Sequence, residues 1–88
     1  MTGIPTLSPG YRLQHEAAQD CWVLLYPEGM VKLNPSAAEI LKRCDGKRDI
    51  TQIIEQLEKD FDQTGLANDV ISFVKIAADN KWIIYSDG

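Results

Sequence analysis

The chain has 88 residues, 44% of them hydrophobic and 25% charged, and a formal net charge of −4. That is the composition of one small globular domain with no room for a second core. The acidic balance disfavours a nucleic-acid partner, and the apolar run at residues 22–26 falls far short of the ~20 residues a membrane-spanning helix needs.

Residues 1–10 contain Gly3, Pro5, Pro9 and Gly10 with little periodicity, and read as a flexible N-terminal arm ahead of a domain at residues 11–88. The arm has neither the basic nor the apolar region of a secretory signal, so the protein is expected to be cytoplasmic. From Tyr11 to Glu16 apolar and polar residues alternate as in a half-exposed strand, and residues 17–20 supply a turn. Residues 21–26 (CWVLLY) are rich in β-formers and apolar on both faces, as the central strand of a small sheet would be. Pro27-Glu28-Gly29 then predicts a tight turn into a third antiparallel strand at residues 30–33, with Val31 and Leu33 inward and Met30 and Lys32 outward. No fourth strand follows it in sequence, so this strand is expected to keep an open edge on which an extended peptide could add.

Asn34-Pro35 is an N-cap followed by a favoured first helical residue, which predicts a helix from Pro35 to about Cys44, ended by Gly46 in the left-handed conformation. Asp49 and Gln52 have the spacing of a capping box, and Ile50, Ile53, Ile54, Leu57 and Phe61 then share one helical face. A third helix is predicted from about Leu66 to Asn80 with Leu66, Val70, Phe73, Val74 and Ala77 as its core stripe. Ile71 and Ala78 fall to one side of that stripe, leaving an apolar flank wider than one packed layer requires. The segment Trp82 to Tyr85 reads as a short strand or wing. The predicted fold class is α+β and winged-helix-like: a three-stranded antiparallel sheet, three helices and a short C-terminal extended segment.

Little in this chain suggests chemistry of its own. Its single histidine, His15, has no serine or cysteine beside it in a nucleophile motif, and Cys21 and Cys44 do not make a CxxC pair. Both thiols are expected to be reduced, and neither a metal site nor a cofactor is expected. Carboxylates such as Asp45, Asp49, Asp60 and Asp62 lie near helix ends, where capping explains them. A DNA-binding winged-helix regulator is the alternative reading, but Asp69, Lys75 and Asp79 give the polar positions of the third helix the wrong sign.

The stretch LYPEGMVKLN at residues 25–34, followed by Ser36-Ala37, Ile40-Leu41, Cys44-Asp45-Gly46 and Ile53-Ile54, closely resembles the PqqD family of pyrroloquinoline quinone biosynthesis. Asp69-Val70, Phe73-Val74 and Trp82 are similar to that family's C-terminal helix and ending, so the likeness runs from Tyr11 to Tyr85. It departs at Pro35-Ser36, where threonine is more usual in the family than this serine.

The resemblance implies a non-catalytic chaperone that binds the ribosomally made precursor peptide PqqA and presents it to the radical S-adenosylmethionine enzyme PqqE. It also implies a peptide strand on the edge of the third strand and against the third helix, where the residues themselves had left an open edge and an apolar flank. The expected peptide site is Met30, Val31, Lys32 and Leu33 with Val70, Ile71, Phe73, Val74 and Ala77. The basic residues Lys42, Arg43, Lys47 and Arg48 form the one cationic cluster in the sequence, expected to dock on the larger enzyme. Free of its partners, the protein is expected to be a monomer or a weak homodimer.

Overall fold

The computed structural model describes residues 3–86. In chain order the elements are β1 (Ile4–Leu7), β2 (Arg12–Glu16), β3 (Cys21–Tyr26), β4 (Gly29–Leu33), α1 (Pro35–Lys42), α2 (Ile50–Asp60), α3 (Ala67–Asp79) and β5 (Ile83–Ser86). β2, β3 and β4 form an antiparallel sheet in that order, and β1 and β5 form a separate two-stranded one. The α+β class, the three-stranded sheet, the three helices and the terminal strand are those the sequence predicts.

β3 is central because its side chains suit both faces. Val23 and Leu24 are neighbours and so point to opposite sides of the sheet, yet both are fully buried. Leu24 stands between Leu13 and Val31 on the face toward the helices, and Val23 stands between Gln14 and Lys32 on the other. Pro27 and Glu28 form the hairpin loop, and Gly29 opens β4 with a φ of 158°, a backbone that side chains rarely adopt.

The helix starts follow the local chemistry. The Asn34 side chain accepts from the Ala37 N–H at 2.7 Å, with Pro35 at the first helical turn. At α2 the capping box is complete: the Asp49 carboxylate accepts from the Gln52 N–H at 2.8 Å while the Gln52 amide oxygen accepts from the Asp49 N–H at 2.9 Å. Leu66 caps α3 with no side-chain bond of its own. A carboxylate from another helix substitutes, as Glu58 of α2 accepts from the Leu66 N–H at 3.0 Å. α1 ends at Lys42, short of the expected Cys44, because the N–H groups of Arg43 and Cys44 turn to the carbonyls of Ile40 and Leu41, which tightens the last turn.

The expectation of an irregular arm over residues 1–10 is corrected where residues 4–7 are concerned; Met1 and Thr2 lie outside the described residues. Ile4–Leu7 form β1, antiparallel to β5, with Ile4 opposite Ser86 and Leu7 opposite Ile83. Pro5 reads as a strand breaker, but a proline needs only to sit where no N–H is called for, and here it is buried with its carbonyl accepting from the Gly46 N–H at 3.1 Å. Gly46 makes that approach with a φ of 79°. The buried Ser8 hydroxyl donates to the Lys81 carbonyl at 2.6 Å and ties down the end of β1.

One apolar cluster joins the layers. Leu24 and Leu33 of the sheet, Ala38 and Leu41 of α1, Ile53 and Leu57 of α2, Val70, Val74 and Ala77 of α3 and Ile83 of β5 all belong to it. α1 lies on β3 and β4, and α2 lies on α1. α3 closes the stack against α2 and β5.

Candidate functional site

β4 is an edge of its sheet, with no strand beyond it among the described residues. The two-residue loop closes on Tyr26 and Gly29, and successive residues of an antiparallel strand turn their backbone groups alternately toward and away from the neighbour. Gly29, Val31 and Leu33 therefore face β3, while Met30 and Lys32 present N–H and C=O at the open edge. The side chains alternate across the sheet in the same rhythm. Leu33 is buried in the core and Val31 half-buried against it, whereas Met30 and Lys32 are exposed.

On α3 the structure divides the expected site residues. Val70, Val74 and Ala77 are fully buried in the common core, as is Leu33 at the end of β4, so their side chains hold the fold together. Ile71 and Phe73 are half-buried against the same cluster. The flank over Ile71 and Ala78, expected to want a partner, is packed against the core. The exposed apolar residue is instead Ile76, 53% accessible on the opposite flank, three residues on from Phe73. Sequence reasoning passed over Ile76, although its position on the helical wheel, away from the Val70–Val74–Ala77 stripe, carried the signal. Trp82 covers the far side of Phe73, the two rings lying 6.4 Å apart and tilted by 45°.

Leu66, Asp69, Phe73 and Ile76 follow one another at spacings of three and four and thus share a flank of α3. At its N-terminal end this flank borders a cavity of about 260 Å³, closed on the other sides by the start of α1 and the end of α2. Pro35 and Ser36, just beyond β4, line the cavity's wall.

The cationic cluster disperses. Lys42 pairs with Glu39 at 3.0 Å and lies 4.4 Å from the Trp22 ring centre, Arg48 pairs with Asp45 at 2.8 Å, and Arg43 spans Glu39 at 3.0 Å and Asp60 at 2.6 Å. Only Lys47 among the four has no ion-pair partner in the described residues. Sequence proximity overstated the free positive charge because Glu39, one turn back on α1, and Asp45, three residues before Arg48, already engage three of the cations, and Asp60 reaches Arg43 when α1 and α2 pack.

Arg43 instead clamps the two helices, and its hydrogen bonds hold the carboxyls of Glu39 and Asp60 below their ordinary 4.5 and 3.8. A depressed folded-state pKa stabilises the fold above the unfolded value and is lost as pH falls through the folded one. Stability is therefore expected to decline as pH drops below about 4.5, and Arg43→Met should flatten that decline while lowering the melting temperature at pH 7. Melting curves from pH 7 to pH 3 check this; an unchanged acid limb in the variant would remove the clamp from the account.

The remaining reactive groups sit apart. His15 Nε2 is 3.3 Å from Asp20 Oδ1 and its ring is tilted against Trp22. Burial pushes the Cys44 thiol up to about 12, so at neutral pH it stays protonated and donates to the Ile40 carbonyl at 3.4 Å. No three His, Cys, Asp or Glu side chains gather as metal ligands among the described residues, and no helix there is long and apolar enough to cross a membrane. The accessible face of α3 offers Asp69, Lys75 and Asp79, a poor match for phosphates.

Residues 21–83 match the family model described as coenzyme PQQ synthesis protein D (PqqD). The chain is 49% identical over 84 residues to a PqqA binding protein of Pseudomonas paraeruginosa, covering 94% of this chain and 91% of that one. It is 52% identical over 83 residues to a PqqA binding protein of Klebsiella pneumoniae, covering 93% and 90%. Its fold is similar to the solution NMR structure of the PqqD truncation of Methylobacterium extorquens PqqCD, a functional and stand-alone RiPP recognition element. The TM-score is 0.77 at 27% identity, over 91% of this chain and 87% of that one.

Proposed function

Because the chain belongs to the PqqD family, we propose that it is a non-catalytic module that binds the precursor peptide PqqA and presents it to the radical S-adenosylmethionine enzyme PqqE in the cytoplasm. The observation that carries this reading is the open backbone edge at Met30 and Lys32 on the same core as the exposed apolar flank of α3. An extended peptide added antiparallel or parallel to β4 gains main-chain hydrogen bonds there, which give affinity without reading sequence. Side chains on alternate peptide residues then meet the α3 flank, where apolar contact fixes the register.

The peptide-facing set is Met30, Val31 and Lys32 with Phe73 and Ile76, while Leu33, Val70, Val74 and Ala77 support it from behind and Ile71 packs on the other flank of α3. Docking on PqqE through the basic residues is narrowed to Lys47, whose charge is not already engaged. The buried, protonated Cys44, and a His15 engaged by Asp20 and the Trp22 ring, support a role in binding rather than in reaction.

Titration of the isotope-labelled chain with synthetic PqqA tests the reading. Backbone amide shifts should concentrate at residues 30–32 and on the flank bearing Phe73 and Ile76. Shifts confined to β2 and the β1–β5 sheet would overturn the placement, and no shift at saturating peptide would overturn the function.

A further inference from the structure

We infer that the cavity at the N-terminal end of α3 is a receptacle for one bulky apolar side chain of the bound peptide, whose neighbour in the peptide is a lysine or arginine. The inference rests on the peptide-binding reading above and names what that site would select.

Three observations carry it. The cavity begins just past the end of β4 along the chain: Leu33 ends the strand, and Pro35, two residues on, already lines the wall. Pro35 lies three residues beyond Lys32, at most about 11 Å of extended chain, so a peptide strand running past Lys32 can reach the cavity within about three residues of its last backbone bond. The volume of about 260 Å³ lies below the ~300 to 1,000 Å³ of sites that enclose a whole small molecule, so a single side chain is the fitting occupant. Its walls are chiefly apolar, with Ile40, Leu57, Phe61 and Leu66 contributing from three helices. Phe61, 46% accessible despite its size, offers a ring at the cavity.

The charge at the lining decides the neighbour. Glu39 and Asp69 both border the cavity. Lys42 and Arg43 already occupy Glu39. Asp69 is exposed, with no hydrogen-bond or ion-pair partner among the described residues. A peptide cation beside the buried side chain would satisfy it, and a carboxylate there would be repelled. Since Asp69 is exposed, this preference should weaken with salt.

The test measures PqqA binding by the wild-type chain, Ser36→Tyr and Asp69→Asn at two salt concentrations. Ser36 is exposed at the first turn of α1, so tyrosine there fills the cavity without entering the core. Ser36→Tyr should weaken binding about tenfold or more, as loss of a pocketed anchor does. Asp69→Asn should weaken it by roughly threefold at low salt and flatten the salt dependence. In an alanine scan of the peptide, one large apolar position should lose affinity for the wild-type chain and show no further loss with Ser36→Tyr.

Ser36→Tyr that folds and binds PqqA as the wild type does overturns the receptacle, and so does an Asp69→Asn variant with unaltered salt dependence for its cationic neighbour. Failure of the wild-type chain to bind PqqA at all would overturn the parent reading as well, so the two failures are told apart by the wild-type titration alone.

Discussion

Val74→Asp is expected to abolish cooperative unfolding, whereas Ile76→Asp, two residues on in the same helix, should leave the melting transition in place and remove most of the affinity for PqqA. Val74 is fully buried in the core shared by sheet and helices, and a carboxylate there would have neither water nor a cation. The effective cost of burying an unpaired charge is several kcal/mol, comparable with the ~5 to 15 kcal/mol that holds a whole domain together. Ile76 is 53% accessible, so its replacement should change stability by no more than about 0.5 kcal/mol. Covering an isoleucine by a peptide contributes at most about 1.5 to 3 kcal/mol, and covering its exposed half about half of that, roughly threefold to tenfold in Kd. Thermal melts paired with peptide titration check both. Equal destabilisation by the two variants would place Ile76 in the core, and undiminished binding by Ile76→Asp would take α3 out of the peptide site.

Proline is expected to distinguish the two sides of β4. At Lys32 it deletes an N–H that faces the open edge, so the fold should persist while PqqA binding weakens by one hydrogen bond's net contribution, about 0.5 to 1.5 kcal/mol, or roughly threefold to tenfold. At Val31 the N–H faces β3 opposite Leu24. Losing it leaves a ladder carbonyl without a donor, at about 1 to 3 kcal/mol of stability. Melting temperatures and titrations of Lys32→Pro and Val31→Pro give the comparison. Should Lys32→Pro prove as destabilising as Val31→Pro, the edge would be occupied in the free protein and the added-strand mode would fall.

What could be read from the sequence was what is local. Asn34 caps a helix three residues away and Asp49 exchanges bonds with Gln52, so the capping chemistry lies within one turn of chain. The strands of the main sheet were legible for the same reason, since short turns bring each to its neighbour. Contacts between distant segments were not. β1 has four residues and a proline, and nothing near it announces β5. Arg43 looked like part of a free basic patch because Asp60, its partner, lies 17 residues on. The helical wheel of α3 showed an apolar arc too wide for one layer, but which flank stays open depends on the arrangement of α2, β5 and Trp82, and packing left Ile76 rather than Ile71 and Ala78 in the solvent.

The pairing of β1 with β5 sets an order of assembly. Ile4 and Ser86 close a loop of nearly the whole chain, and in an unfolded chain each doubling of loop length adds about 0.6 kcal/mol of entropic cost. The hairpins that place β4 beside β3 and β3 beside β2 close over a few residues and meet little of that penalty. During synthesis β1 has no partner until residues 83–86 have emerged, while the β2–β3–β4 ladder has all of its strands some fifty residues earlier. The edge strand on which the peptide would add is thus built from the part of the chain that needs least of the rest, and the clasp between first and last strands comes to a sheet that already exists.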